Sequence, residues 1–172
     1  SFIKRHELNG LVQHCRSHQL ALVGDEVFAD YPLDVDLRRA CSVLAQHDVL
    51  AFSLGGLSKS VGLPQLKGGW MALAGPDEQT AAAMARLEVI GDTYLSVGTP
   101  VQLALAALLD QGATVRTMIR ARLAQNLTTL KQAVAARPGV TLLPVEGGWS
   151  AVLQVPATRP EESLVLELLE ER

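Results

Sequence analysis

The amino-acid sequence predicts an α/β fold. Two short, continuously apolar runs, residues 20–23 and 49–52, have the length and composition of buried strands. Segments with helical periodicity alternate with these runs, and the order helix, strand, helix, strand is typical of a parallel βαβ unit. The chain has 172 residues, 48% hydrophobic and 19% charged, which is globular composition with enough length for a substantial core.

The elements of the first half follow from periodicity and turn residues. One apolar helical face is formed at positions i, i+3, i+4 and i+7 by Leu8, Leu11, Val12 and Cys15. After the first strand, a loop around Pro32 precedes a helix predicted over 37–46. The second strand is followed by a stretch rich in Gly, Ser and Lys, residues 55–69, which cannot form one long regular element, and then by a third strand over 70–74.

Proline and glycine divide the second half into helices and a hairpin. Pro76, followed by two acidic residues, begins a helix that runs to Ile90. Further helices are predicted over 100–109, from Pro100, and over 115–134. Apolar runs at 140–145 and 150–155 flank a glycine pair like a β-hairpin, the start of a smaller α+β unit, and Pro160 begins a last helix that extends to the chain end at Arg172.

Composition and charge exclude several function classes. A net charge of −3 argues against a nucleic-acid or anionic-membrane surface, since both need basic patches. No apolar run approaches the roughly 20 residues that span a bilayer, and the first residues lack the apolar stretch of a signal peptide. Cys15 and Cys41 lack metal-ligand spacing, and His14 and His18 lack an acidic partner, so we expect no metal site. Two cysteines without the density of a disulfide framework favour a protein of the reducing cytoplasm.

Two polar segments follow the carboxyl ends of the first two predicted strands, where open parallel sheets bind ligands. The first reads DEVFADY from Asp25, and the second reads LSKSVGLPQLKGGW and contains Lys59. A lone aspartate after a strand is usually a turn or cap residue, and a lone lysine in a glycine-rich loop is usually solvated. Their pairing at the ends of consecutive strands indicates a functional site.

These segments resemble the class I/II aminotransferases, the fold type I enzymes that use pyridoxal 5′-phosphate. The family pattern is Asp-Glu-x-Tyr-x-Asp, then Ser-x-Ser-Lys-x-x-Gly-x-x-x-x-Arg-x-Gly. The similarity continues through TYLSVGTPVQLALAALL and EGGW. It implies a mixed, mostly parallel large-domain sheet with helices on both faces, represented here by three strands over 1–135, and the start of a small domain over 136–172. It also implies a homodimer that exchanges an amino group between an amino acid and a 2-oxo acid.

The resemblance assigns roles to individual residues. Lys59 would form the Schiff base with the cofactor and then move the substrate proton as general base and acid. Asp25 would pair with the pyridine nitrogen of the cofactor. Ser58 and Lys67 would hold the cofactor phosphate. Thr99 would reach across the dimer interface toward the partner's cofactor phosphate; a helix N-cap before the following proline is the alternative.

The sequence departs from the family pattern at three positions. Phe28 stands where the family has tyrosine and cannot donate a hydrogen bond to the 3′-oxygen of the cofactor. Lys67 replaces an arginine, so a point charge replaces a bidentate fork. Gly56 replaces a serine that contacts the phosphate. These changes predict weaker cofactor binding with the essential lysine and aspartate retained. Trp149 matches a residue that lines the substrate side of the site, although a core tryptophan is an equally good interpretation.

Family members are much longer than this chain, so the resemblance also implies a fragment. The glycine- and serine-rich loop that clamps the phosphate, the Asn-Pro-x-x-Pro-Thr-Gly segment and the arginine that binds the substrate carboxylate would lie outside it. We expect weak binding of pyridoxal phosphate and little or no transaminase activity by this chain alone, and an exposed apolar sheet edge beside residues 49–52. A fold type I lyase or decarboxylase, and an inactive fragment acting only as a binding or interaction module, remain alternatives.

Overall fold

A computed structural model describes residues 2–171 of the chain. The first helix, α1 (Arg5–Ser17), begins after Lys4, whose backbone N–H donates to the Glu7 carboxylate at 2.7 Å. It buries Leu8, Val12 and Cys15, as the apolar periodicity predicts, but Leu11 of the same predicted face is 43% exposed. These side chains form one core with residues of the sheet and of the segment before its second strand.

The sheet has three strands, β1 (Leu22–Asp25), β2 (Ala51–Gly56) and β3 (Gly69–Ala74), in the order β1-β2-β3. The first pair is parallel and the second antiparallel, which confirms a mixed sheet. The expected exposed edge beside 49–52 is wrong, because β2 is the central strand and is paired on both sides. Val23 on the edge strand β1 is 59% exposed, so β1 is not buried on both faces by the described residues.

The connection between the parallel strands differs from the predicted helix over 37–46. It is irregular apart from one short 3-10 helix, Val43–Ala45. The reason is visible in its hydrogen bonds: the Ser42 hydroxyl and the Val43 N–H both donate to the Glu26 carboxylate, at 2.7 and 2.8 Å. A side chain outside the segment therefore satisfies groups that a helical ladder would otherwise use, and tertiary structure overrides the apolar pattern.

Two helices follow the sheet. The first, α3 (Asp77–Thr93), confirms the helix predicted after Pro76. The two helices predicted over 100–109 and 115–134 are one continuous helix of 37 residues, α4 (Thr99–Ala135). Gly112 does not interrupt it. A Cβ at this position would lie 2.1 Å from a methyl carbon of Val61, so the glycine allows a close approach between α4 and the segment after β2.

The last part contains the predicted hairpin, shorter than expected, and a final helix. The strands β4 (Thr141–Leu142) and β5 (Leu153–Gln154) pair antiparallel, and α5 (Glu161–Glu170) follows Pro160. The predicted end of that helix at Arg172 lies outside the described residues. Across residues 2–171, no helix combines the length and apolar character that crossing a membrane requires. The domain boundary between residues 135 and 136 stays a prediction.

The hairpin loop contacts the segment that follows β1. Pro32 forms an isolated antiparallel bridge with Gly147, and the Leu33 N–H donates to the Glu146 carbonyl at 3.0 Å. The Gly148 N–H donates to the Tyr31 carbonyl at 2.9 Å. These backbone hydrogen bonds bring the hairpin loop to the same end of the sheet as the residues that follow β1.

An ion-pair cluster lies beside this contact and consists of Lys4, Asp36, Arg39 and Glu146. The Lys4 amine contacts the Glu146 carboxylate at 2.5 Å and the Asp36 carboxylate at 3.2 Å. Arg39 donates to the Glu146 carbonyl at 3.4 Å and to the Asp34 carboxylate at 2.6 Å. The cluster therefore links the start of the chain, the loop after β1 and the hairpin by charge.

Candidate active site

Lys59 is carried by a single helical turn, α2 (Leu57–Ser60), which directly follows the central strand. The turn is anchored at both ends. Leu57 is fully buried and its N–H donates to the Gly68 carbonyl at 2.9 Å, while Arg116 of α4 donates to the Ser60 carbonyl at 3.1 Å. The half-buried Lys59 therefore projects from a fixed backbone at the carboxyl end of β2.

Two aromatic rings, Phe28 and Trp149, surround the Lys59 amine. The Nζ atom lies 4.8 Å from the centre of the Trp149 ring and 5.5 Å from that of Phe28. The two rings meet edge to face with centres 5.6 Å apart. At these distances the ring faces attract an ammonium group. Phe28, identified from sequence as a lost hydrogen-bond donor, thus contacts the lysine through its ring.

Tyr31 is the residue of this region that sequence reasoning missed. Its side chain is fully buried, its hydroxyl donates to the Lys59 carbonyl, and its ring lies 5.3 Å from that of Trp149. Burial raises the pKa of the Tyr31 hydroxyl, and the nearby Asp30 carboxylate raises it further. The only sequence signal was an aromatic residue at the end of the DEVFADY segment, because no periodicity identifies a contact formed across the fold.

The two acidic residues at the end of β1, Asp25 and Glu26, have different environments. Asp25, its last residue, is exposed and its carboxylate accepts from the Val27 N–H at 3.3 Å, as a turn aspartate does. The neighbouring Glu26 carboxylate accepts from Ser53 as well as from the connection before β2, so its role is structural. Because β1 and β2 are parallel, Asp25 and Lys59 both follow strand ends at one edge of the sheet.

A cavity of about 610 Å³ opens beside Lys59. Its walls include Ser58, Lys59, Met118, Ile119, Arg122 and Trp149. None of its lining residues, all within the described part of the chain, is acidic. The cavity therefore combines an amine, a hydroxyl, a guanidinium group and an indole ring, a set suited to a flat ligand with an anionic group. Arg122 had no sequence signal, since it is one of several arginines along α4.

The structure does not bring every predicted site residue to this cavity. Asp25, Phe28, Lys67 and Thr99 are not among its lining residues. Lys67 is exposed and follows a short 3-10 helix, Pro64–Leu66, in a left-handed conformation with φ of 52°. Thr99 is the exposed first residue of α4, and Gly98 is the N-cap, so the capping interpretation of Thr99 is wrong. The roles assigned to these four residues stay predictions.

Within residues 2–171, no group of three or more His, Cys, Asp or Glu side chains is arranged to hold a metal ion.

The family model described as aminotransferase class I and II matches residues 1–172. Alanine aminotransferase of Mycobacterium tuberculosis is 26% identical over 171 residues, covering 94% of this chain and 39% of the relative. Glutamate-pyruvate aminotransferase AlaA of Escherichia coli is 25% identical over 165 residues, covering 92% of this chain and 40% of that protein.

Solved structures give the same result at the level of fold. An aminotransferase from Escherichia coli superimposes with a TM-score of 0.80 at 22% identity, over 98% of this chain and 43% of the other. An α-aminoadipate aminotransferase, LysN, from Thermus thermophilus, complexed with N-(5′-phosphopyridoxyl)-L-leucine, gives 0.76 at 18% identity, over 96% of this chain and 42% of the other. The chain thus spans about two fifths of the length of the proteins it matches.

Proposed function

Because the chain belongs to the class I and II aminotransferase family, with the fold type I architecture of its structural neighbours, we propose that it is part of a pyridoxal 5′-phosphate-dependent aminotransferase. The enzyme would transfer an amino group between an amino acid and a 2-oxo acid. Curated relatives are named alanine aminotransferase and glutamate-pyruvate aminotransferase. The observation that carries the proposal is the position of Lys59, with its amine on the wall of a cavity and beside two aromatic rings.

The residues present fit this cofactor. A volume of about 610 Å³ lies within the range of small-molecule sites, about 300–1,000 Å³. Lys59 offers an amine for an aldehyde, and Trp149 offers a flat ring beside it. Ser58 and Arg122 offer a hydroxyl and a cation for an anionic group, and no lining carboxylate opposes it.

Lys59 has two roles in the proposed reaction. Its amine would bond to the aldehyde carbon of the cofactor with loss of water and, once displaced by the substrate amine, would move the proton from the substrate Cα to the cofactor as general base and acid. When bound, pyridoxal phosphate supplies an electron sink for the carbanion. The anchored α2 turn keeps the lysine backbone fixed while its side chain moves between these tasks.

Other residues would bind the cofactor or exclude water from the cavity. The Asp25 carboxylate would pair with the protonated ring nitrogen, and the Ser58 hydroxyl and Lys67 ammonium would bind the phosphate. Trp149 would exclude water from the side of the cavity on which it lies. Phe28 contributes ring contact in place of a hydrogen bond to the 3′-oxygen, so we expect weaker binding than a tyrosine would give.

The experiment that tests the proposal follows the visible absorbance band of bound pyridoxal phosphate in the full-length protein of which this chain is proposed to be part, under saturating cofactor. With L-alanine or L-glutamate we expect the band to bleach, and with pyruvate or 2-oxoglutarate to return. Lys59→Ala abolishes the band, whereas the control Lys131→Ala, an exposed position on α4, retains it. A band that persists in Lys59→Ala contradicts the proposal.

The same experiment separates the alternatives. A fold type I lyase or decarboxylase shares the lysine and the aspartate, and would give a persistent band with release of ammonia or carbon dioxide. A binding or interaction module that never meets the cofactor would give no band. The two relatives named above are both aminotransferases, which favours the aminotransferase over these alternatives.

Homodimerisation and a cytoplasmic location belong to the same proposal. The family resemblance supports a homodimer in which Thr99 approaches the partner's cofactor phosphate, and the exposure of Thr99 at the start of α4 is compatible with that role. Two free cysteines in the described chain suit a reducing compartment. Sedimentation of the wild-type chain and a Thr99→Asp variant, with and without cofactor, tests the dimer.

A further inference from the structure

Tyr31 contacts both the backbone of the lysine turn and the ring of Trp149, which lies beside the lysine amine. Its hydroxyl donates to the carbonyl of Lys59. Its ring meets the Trp149 ring at 73° with centres 5.3 Å apart. Its own carbonyl accepts from the Gly148 N–H, directly before Trp149, at 2.9 Å.

We propose that Tyr31 is a positioning residue for Lys59: its buried hydroxyl and ring fix the lysine turn relative to Trp149 and thereby set where the lysine amine lies. The role of the amine in the reaction rests on the proposed function; its placement by Tyr31 does not. Tyr31 itself touches no reacting atom in this proposal.

The contacts favour a specific hydroxyl role over simple core packing. Leu57 is as deeply buried as Tyr31 and anchors the same turn through its backbone and apolar side chain. The Tyr31 hydroxyl adds a directed bond to the carbonyl of the lysine residue itself. Since burial raises its pKa, the hydroxyl stays protonated and remains a donor throughout the neutral range.

The geometry also predicts what happens when this bond is lost. Without the hydroxyl, the Lys59 carbonyl is released from Tyr31 and the amine moves away from the two rings. Contact with partly exposed rings holds the amine there by about 0.5–1 kcal/mol, so losing the rings corresponds to about a two- to fivefold larger share of amine that the reagent can reach. The direction is toward faster reaction, because the half-buried Lys59 becomes more accessible.

The test is competitive acetylation of the whole chain by limiting acetic anhydride, without cofactor, over about pH 7 to 10, quantified by mass spectrometry. Lys59 is compared with Lys131, an exposed internal reference on α4. In Tyr31→Phe, which keeps the ring, we expect Lys59 to react about two- to fivefold faster relative to Lys131. The control Tyr94→Phe alters the other tyrosine, which is 73% exposed, and leaves the ratio unchanged.

A second variant keeps the test decisive if Tyr31→Phe does not fold. Trp149→Ala leaves the hydroxyl in place and removes the nearer ring, so it must also accelerate Lys59. If both single variants fold, the double variant reacts no faster than the faster single one, because both act on the same placement. Unchanged Lys59 reactivity in whichever variants fold, or fully additive effects, overturns the positioning role.

The outcomes distinguish this inference from the proposed function. Acetylation needs no cofactor, so the expected ratio together with no visible cofactor band would remove the aminotransferase proposal and leave the placement by Tyr31 standing. A normal cofactor band together with unchanged acetylation in Tyr31→Phe would overturn the placement by Tyr31 and leave the aminotransferase proposal standing.

Discussion

Residues 2–74 and residues 77–171 differ in how completely they are packed. The first region holds every buried hydrophobic side chain in the described chain, among them Leu8, Val12, Tyr31, Val49, Ala51 and Leu57. In the second region, α3 and α5 bury no residue and α4 buries Gly112 alone, all within the described residues. Large apolar side chains such as Ile90, Leu103 and Leu169 are exposed there.

This difference shows which part of the candidate site is self-supporting. Lys59, Phe28 and Tyr31 belong to the packed region, whose core orders them. The opposite wall of the cavity, with Arg122, belongs to α4, which contacts the packed region at several points, among them Gly112 beside Val61 and Arg116, which donates to the Ser60 carbonyl. Residues 2–74 therefore form the wall of the site that carries Lys59. By contrast, α3 and α4 have apolar faces that no described residue covers.

The largest expected effect compares one leucine from each region. Leu8→Ala removes a side chain that is 4% exposed in the α1 core and lowers the free energy of unfolding by about 2–5 kcal/mol. Leu103→Ala makes the same change on α4, where the side chain is 83% exposed, and shifts it by no more than about 0.5 kcal/mol. Urea denaturation followed by circular dichroism measures both, and equal losses would contradict the comparison.

A smaller effect is expected where the two regions meet. Gly112→Ala places a Cβ against the stiff, branched side chain of Val61 and costs about 1–3 kcal/mol. The matched control is Gly91→Ala in α3, where nothing lies within 4 Å of an added Cβ; there the substitution stabilises by about 0.4–1 kcal/mol. Thermal unfolding measures both changes in stability, and their opposite signs would show that α4 packs tightly against Val61 at Gly112. A stabilising Gly112→Ala would contradict that tight contact.

The smallest effect concerns pH and the ion-pair cluster. Hydrogen bonds from Arg38, and secondarily Lys4, hold the pKa of the Asp36 carboxyl below its ordinary value. A carboxyl with a lowered pKa stabilises the fold at pH above its unfolded value of about 3.9, and this contribution is lost as the pH falls below that value.

We therefore expect the urea midpoint of the wild-type chain to fall on acidification below about pH 4 more steeply than that of Asp36→Asn. Asp110→Asn, at an exposed position of α4, serves as the control and should keep the wild-type slope. Parallel curves for the wild-type chain and Asp36→Asn would show that the cluster contributes nothing.

Sequence reasoning succeeded where local chemistry decides the structure. Periodicity and turn residues predict four features of the fold: the apolar face of α1, the three strands, the helix after Pro76 and the hairpin around residues 146–148. The parallel pairing of β1 and β2 also confirms that Asp25 and the segment with Lys59 lie at the same end of the sheet, while the roles of these two residues stay predictions. The family match confirms the resemblance carried by those segments.

The remaining features depend on contacts between distant segments. An irregular connection whose Val43 N–H donates to Glu26 replaces the helix predicted over 37–46, and Gly112 lies within the continuous α4, against Val61. The Tyr31 bond to Lys59 spans 28 residues and has no periodic signature. Propensity and spacing describe neighbours along the chain, so neither reveals such contacts before the fold is known.

We propose that the described chain places one lysine amine, that of Lys59, for covalent capture of the cofactor. The chain has four lysines, at positions 4, 59, 67 and 131. Incubation with pyridoxal phosphate, reduction with borohydride and peptide mapping by mass spectrometry reads all four in one experiment. We predict that the adduct is on Lys59 and saturates only at high cofactor concentration. An adduct spread evenly over the four lysines, or one that avoids Lys59, would contradict the account.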